Sequence, residues 1–110
     1  MSRGLGLLVL LLAAAFEAGG DALVRSSLEA TRPLARIGLF ALGAVVLTTY
    51  GYTINAPRWD FGKLLGVYVV FFFIVAQIIA LVSFKQYPTP SIYVGGLLII
   101  VGGIVIYAGR

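Results

Sequence analysis

The stretch Leu5–Val24, LGLLVLLLAAAFEAGGDALV, decides the fold of this chain. It is an apolar run in which only Glu17 and Asp21 carry charge. A helix rises 1.5 Å per residue, so about 20 residues cross the roughly 30 Å hydrocarbon layer of a bilayer. The run therefore predicts a transmembrane helix that carries two acids.

The same stretch allows one other interpretation. Arg3, the apolar run Leu5–Leu12 and the small residues Ala13–Ala15 also resemble a secretory signal peptide with its cleavage site. We take the transmembrane helix as the expectation and keep the signal peptide as its alternative.

Three further apolar blocks follow: Leu34–Ile54, Leu64–Phe84 and Ile92–Ala108. The connections between blocks hold Pro residues and most of the charges. With 61% hydrophobic and 11% charged residues, the chain is too apolar for a soluble domain. Uninterrupted apolar blocks of this length also exclude barrel strands. The sequence predicts an all-α integral membrane protein, with a single four-helix transmembrane domain over residues 1–110.

Composition also excludes several classes of function. The chain has no Cys and no His, which removes the usual zinc and iron ligand sets, thiol chemistry and a Ser/His/Asp triad. We therefore expect no enzymatic activity, no metal and no cofactor. The eight Lys and Arg residues are scattered at the ends of the blocks, so no nucleic-acid partner is expected either.

Orientation in a membrane usually follows the Lys and Arg bias between the two sides. Here the bias is absent, because each side receives four. Arg3, Arg58, Lys63 and Arg110 fall on the side of the termini, and Arg25, Arg32, Arg36 and Lys85 fall on the other. The tie favours insertion in both orientations, with chance in a small count as the alternative.

Glu17 is the first candidate for chemistry. It lies near the middle of the first block, where an unpaired carboxylate costs at least about 2.5 kcal/mol. Burial disfavours the charged form, so such a carboxyl can take up and release a proton or pair with a cation. The structural alternative is a protonated acid that hydrogen-bonds a neighbouring helix.

Asp21 and Arg25 follow Glu17 at intervals of four residues and share its helix face. Asp21 precedes Arg25 in the orientation that favours an intrahelical ion pair, so we predict that pair. Glu17 is then left without an intrahelical partner. Glu29 and Asp60 are predicted to be solvated charges in the connections.

The third block contributes aromatic side chains. Tyr68 is the best candidate to hold an organic cation against its ring, since such contacts strengthen when desolvated. Phe71, Phe72 and Phe73 are consecutive and cannot share one helix face, so packing or lipid contact is the simpler expectation for that run.

The fourth block carries paired glycines seven residues apart. Small residues let helix backbones approach closely in lipid. We predict that this stripe packs two subunits together, with packing inside one chain as the alternative. Its members are Gly95, Gly96, Gly102 and Gly103.

Together these residues resemble the small multidrug resistance (SMR) family of the drug/metabolite transporter superfamily. The first helix is similar to the family pattern of an essential Glu, a Gly three later, a Leu six later and a basic residue eight later. These positions are Glu17, Gly20, Leu23 and Arg25. Gly62 and Tyr68 match a Gly-to-aromatic spacing, and Gly95, Leu98, Ile99 and Gly102 match the family's G-x-x-L-I-x-x-G. The E-x-G-G and G-K-x-x-G-x-Y runs also resemble the YnfA-like branch.

The resemblance implies a proton-coupled antiporter that exports small or hydrophobic organic cations, of quaternary ammonium or guanidinium type. It implies an antiparallel homodimer, or a dimer with a paralogue, in a bacterial or archaeal plasma membrane. Glu17 and Tyr68 would bind substrate and protons, and Asp21, Gly20 and Phe72 are further candidates for lining the chamber.

Two departures accompany the resemblance. Asp21 stands where the family usually has a small or hydroxyl residue, and Val70, Phe71 and Phe72 replace its small-residue kink in the third helix. The alternatives from other classes are a non-transporting helical subunit of a membrane complex and a subunit that translocates lipids or lipid-linked sugars. Glu17 argues against the lipid alternative, because those relatives generally lack an acid in the first helix.

Overall fold

A computed structural model describes residues 2–109 of the chain. This part folds into four α-helices, each long and apolar enough to cross a membrane. The prediction of an all-helical, multi-pass membrane protein is confirmed. Met1 and Arg110 lie outside the described residues, and with them one of the eight charges in the orientation count. The helices are α1 (Arg3–Glu29), α2 (Pro33–Ile54), α3 (Phe61–Phe84) and α4 (Pro90–Ala108).

The helices match the predicted blocks, and all four extend beyond them by one or more residues. The largest difference is in α1, which ends at Glu29 and not at Val24. Polar residues can continue a helix once it leaves the hydrocarbon layer, and nothing breaks this one before the chain approaches Pro33. α3 likewise begins at Phe61, directly after Asp60.

The four helices form a layer in the order α2, α1, α3, α4, because α1 packs against α2 and α3 while α4 packs against α3 alone. The Cα atoms extend over 50 × 34 × 18 Å, so the layer is thin. The core lies mainly between α1 and α3 and contains Leu10, Ala13, Ala14, Leu64, Val67 and Tyr68. Most other large apolar side chains are exposed on the outside of the layer, as expected for helices surrounded by lipid.

α1 and α2 approach closely at Gly20 and Gly43. A Cβ atom on Gly20 would lie 2.8 Å from the side chain of Leu47. A Cβ atom on Gly43 would lie 3.1 Å from the carbonyl oxygen of Gly20. Neither position has room for a side chain, so the two glycines set how near the helices come.

One end of the layer, which we call the closed end, is bound together by cations and aromatic rings. The Arg3 guanidinium donates a hydrogen bond to the backbone oxygen of Tyr107 (3.1 Å) and lies 4.5 Å from the centre of its ring. Lys63 donates to the backbone oxygen of Gly109 at 3.2 Å, and Trp59 packs against Tyr107. Cations at the carboxyl end of α4 also complement its dipole.

The paired glycines of α4 divide between two faces. Gly96 and Gly103 are buried against α3, where added Cβ atoms would collide with Phe73 and Val70. Gly95 and Gly102 have no other atoms within 4 Å of where a Cβ would lie. Gly96 and Gly103 therefore pack within the chain, as the alternative prediction had it. Gly95 and Gly102 remain open to contact another molecule.

Candidate functional site

Glu17 and Tyr68 form a direct contact between α1 and α3. The Tyr68 hydroxyl donates a hydrogen bond to Oε1 of Glu17 over 2.7 Å. Tyr68 is 4% exposed, whereas Glu17 is half-buried and reaches the surface of the layer. Glu17 is separated by 14 residues from Arg3 and by 12 from Glu29, so about 18 Å or more of helix lies on each side. The two residues predicted to bind substrate and protons are thus brought together near the middle of α1.

The partner of Glu17 is neutral. Within residues 2–109, no Lys or Arg lies within 4 Å of its carboxyl group. A hydroxyl that donates to one oxygen stabilises the carboxylate, and it leaves the other oxygen free to receive a proton or a cation. The geometry thus suits reversible charging better than a fixed ion pair would.

Two further aromatic rings lie next to the ring of Tyr68. The ring of Tyr50 on α2 lies 5.7 Å from that of Tyr68, and the ring of Phe72 lies 6.1 Å away. Three rings from two helices therefore form a cluster around Tyr68, the residue that contacts Glu17, and the faces of such rings attract cations. The structure places Phe72 beside Tyr68 in this cluster.

Tyr50 was missed by the sequence analysis. The resemblance to a transporter family is loose in the second helix, and the one charged residue of this helix, Arg36, lies near its start, far in sequence from Tyr50. The available signal was weaker: Tyr50 is a hydroxyl-bearing aromatic within an apolar block. Buried hydroxyls of this kind need a polar partner, which points toward the acid of a neighbouring helix.

The predicted ion pair of Asp21 with Arg25 is wrong. Arg25 pairs with Glu29, with Nε 3.4 Å from Oε1, and its guanidinium lies 5.2 Å from the centre of the Phe84 ring. Both acids are four residues from Arg25, so spacing alone does not choose between them. The long Arg side chain extends outward toward water, where Glu29 is also located. Glu29 is an exposed charge, as expected, but it belongs to α1.

The remaining candidates have separate positions. Gly20 lies against Leu47 of α2, where a Cβ atom would have no room, so it packs α1 against α2. Asp21 is exposed and lines a groove between α1 and α3, together with Phe72. α3 runs without interruption through Val70 and Phe71, the positions that depart from the transporter pattern.

Comparison with known protein families, curated proteins and solved structures found no match to this chain.

Proposed function

We propose that the protein is a proton-coupled antiporter that exports small or hydrophobic organic cations by alternating access at Glu17. The observation that carries the proposal is the membrane-embedded carboxyl group of Glu17, which accepts a hydrogen bond from the neutral hydroxyl of Tyr68, a residue within a cluster of aromatic rings. An acid inside a membrane segment marks an ion or substrate path more often than a structural brace. The sequence resemblance to the SMR family supports the same function.

The mechanism is competition for one carboxyl group. A cation binds when Glu17 is deprotonated, and the aromatic faces of Tyr50 and Tyr68 stabilise it there. A proton that binds Glu17 from the other side of the membrane removes the charge and releases the cation. Because a single group carries either ligand, movement of one is coupled to movement of the other.

A second copy completes the site in this proposal. Glu17 is half-buried in a thin layer, so one layer encloses it incompletely. The open track of Gly95 and Gly102 on α4 offers a smooth face for close contact with another helix. With no charge bias in the sequence, the two copies insert antiparallel, and the two ends of the dimer become equivalent. We place this homodimer in a bacterial or archaeal plasma membrane.

The competition is tested by proton release from purified protein in weakly buffered detergent solution. Adding a quaternary ammonium ion or guanidinium should release protons, and apparent affinity should rise with pH until Glu17 has lost its proton and then level off. Glu17→Gln keeps the shape but cannot titrate, so it should abolish cation binding at that side chain, proton release and transport while it spares folding and dimerisation. Glu17→Asp should keep exchange and shift its pH midpoint.

Glu29→Gln is the matched control, because it removes an acid from the same helix at an exposed position. It should release protons as the unmodified protein does. Transport by Glu17→Gln at the unmodified rate, with an unchanged pH profile, would refute the mechanism and assign Glu17 to bracing the helices.

The antiparallel arrangement has its own test. The chain has no Cys, so single cysteines at Ser2 and Ser91 can be labelled without background. The two positions are exposed and lie at opposite ends of the layer. In a membrane of intact cells, a membrane-impermeant reagent should label part of each population from outside. Labelling of only one of the two positions would exclude dual orientation while leaving a parallel dimer open.

A further inference from the structure

A groove lies between α1 and α3, beyond the Glu17 and Tyr68 contact. Its volume is about 380 Å³. On α1 its wall includes Ala18 and Asp21, and on α3 it includes Phe72, Ala76 and Ala80. Asp21 lies one helical turn from Glu17, and Phe72 lies one turn from Tyr68. The groove therefore starts directly beside the site and leads toward the opposite end of the layer, which we call the open end.

Two charged side chains line the groove, and only one of them is free of an ion-pair partner within the described part of the chain. Arg25 stands at its outer part, but its guanidinium is engaged by Glu29 and the Phe84 ring. Asp21 lies one turn deeper, is exposed, and has no ion-pair partner within 4 Å among residues 2–109. The inner groove thus presents a single available carboxyl group above an apolar floor.

We infer that this groove binds the extended apolar body of an organic cation, with the positive charge beside Asp21, before the cation reaches Glu17. The inference rests on the proposed antiport and names its substrate class. The preferred substrates are elongated hydrophobic ammonium ions, and compact guanidinium ions bind more weakly. A compact ion can reach Glu17, but it has no apolar tail to contact Ala76 and Phe72.

Charge complementarity selects this occupant over the other apolar molecule that is abundant nearby. A phospholipid acyl chain would fit the apolar wall but would leave hydrocarbon against the Asp21 carboxyl group, where burial of the charge is unfavourable. An ammonium ion on an alkyl chain satisfies both parts of the groove. The ring of Phe72 borders both the groove and Tyr68, so it offers an aromatic face along the way to the site.

The test uses the full chain in lipid nanodiscs in the Glu17→Gln background, so that the central carboxyl group contributes nothing. Binding of ethyl-, octyl- and dodecyltrimethylammonium is measured by calorimetry, with binding to empty nanodiscs subtracted. Affinity should increase along the series. Asp21→Asn should weaken dodecyltrimethylammonium binding about fivefold, the upper range for a partly solvated ion pair. Asp60→Asn, an acid at the other end of the layer, should leave it unchanged.

A second variant tests the apolar wall. Ala76→Leu fills the groove and should abolish the dependence on chain length without removing a charge. Decanoate, which has a tail but the opposite charge, should not bind. Equal binding of decanoate would mean that the groove is merely an apolar surface for lipid or for a second copy, and would overturn the inference. So would a chain-length dependence that survives both Asp21→Asn and Ala76→Leu.

The two proposals can fail separately. If Glu17→Gln still couples protons to transport, the antiport mechanism fails, although binding in the groove can still be measured. If Asp21→Asn and Ala76→Leu bind the alkyltrimethylammonium ions as tightly as the Glu17→Gln background does, the groove inference fails. The proton release that depends on Glu17 then remains.

Discussion

The two halves of the contact between α1 and α3 differ sharply. Toward the closed end, Leu10, Ala14, Leu64 and Val67 are fully or almost fully buried. Toward the open end, the same two helices are lined by alanines and separated by a groove of about 380 Å³. Small residues thus serve opposite purposes. Ala14 lets the helices meet, whereas at Ala76 and Ala80 no large side chain fills the space between them.

The difference explains why the site has its position. Glu17 and Tyr68 lie at the boundary, with a packed interface on one side and the groove on the other. In the proposed mechanism, a carboxyl group at that boundary would be held by the packed half and approached by a cation through the groove. In a transporter with two equivalent ends, this asymmetry would correspond to a protomer that is open toward one side of the membrane.

The first prediction tests whether packing at the closed end contributes most of the free energy of unfolding. Leu10→Ala removes a side chain with 0% exposure, whereas Leu28 at the open end is 68% exposed. We expect Leu10→Ala to lower the free energy of unfolding by about 2 kcal/mol, the low end of the range for soluble cores, because lipid also solvates leucine well. Leu28→Ala should change it by less than about 0.5 kcal/mol.

The measurement is a denaturation titration in mixed detergent micelles, followed by helical circular dichroism. If Leu28→Ala costs as much as Leu10→Ala, the two halves are equally packed in the membrane and the comparison does not hold.

A second prediction asks whether close packing extends to α4. Gly103→Ala would push a methyl group into Val70, whose branched side chain has few other rotamers. Gly102→Ala meets no atom within 4 Å inside the chain. Both variants gain the same helix propensity from the replacement of Gly by Ala. The free energy of unfolding of Gly103→Ala should therefore be lower than that of Gly102→Ala by about 1 to 3 kcal/mol, the usual cost of overpacking.

The same pair separates folding from assembly. If the open glycine track joins two subunits, a bulky Gly102→Leu should weaken the dimer in size-exclusion chromatography while the unfolding of the monomer is unchanged. A dimer that resists Gly102→Leu would assign the open track to lipid.

Much of this fold could be predicted from the sequence, because the bilayer imposes a simple rule on length and polarity. The four blocks follow from it, and so does the anomaly of Glu17. The residue pairings could not be predicted in the same way. Arg25 has acids at equal spacing on both sides, and only the structure shows that it pairs with Glu29. The glycines of α4 likewise needed the position of α3 to divide them between two faces.

The third prediction concerns the hydrogen bond at the boundary. Tyr68→Phe removes the hydroxyl that donates a hydrogen bond to the Glu17 carboxyl group. A hydrogen bond to a charged group contributes about 1.5 kcal/mol or more, so the apparent affinity for a cation at a fixed pH should fall about tenfold. Cation-induced proton release, titrated with a quaternary ammonium ion at that pH, gives this affinity.

The control for this substitution is Tyr52→Phe. Tyr52 lies on α2 and is 82% exposed. The apparent affinity of Tyr52→Phe for the cation should not change. A higher affinity in Tyr68→Phe would mean that the hydroxyl stabilises the protonated acid, as in the structural interpretation of Glu17.

The smallest expected change in the free energy of unfolding comes from removing single charges, Glu29 at the open end and Lys63 at the closed end. Glu29→Gln breaks an exposed pair that spans four residues of one helix, worth about 0.3 to 0.5 kcal/mol. Lys63→Gln removes a half-buried cation from the backbone oxygen of Gly109, and should cost about 0.5 to 1 kcal/mol because it also loses the interaction with the α4 dipole. Raising the salt concentration screens exposed charges more than buried ones, so the cost of Glu29→Gln should vanish first. Unfolding titrations at low and high salt measure both. Equal salt sensitivity would show that Lys63 is as solvated as Glu29, and that its contact with Gly109 does not hold the closed end together.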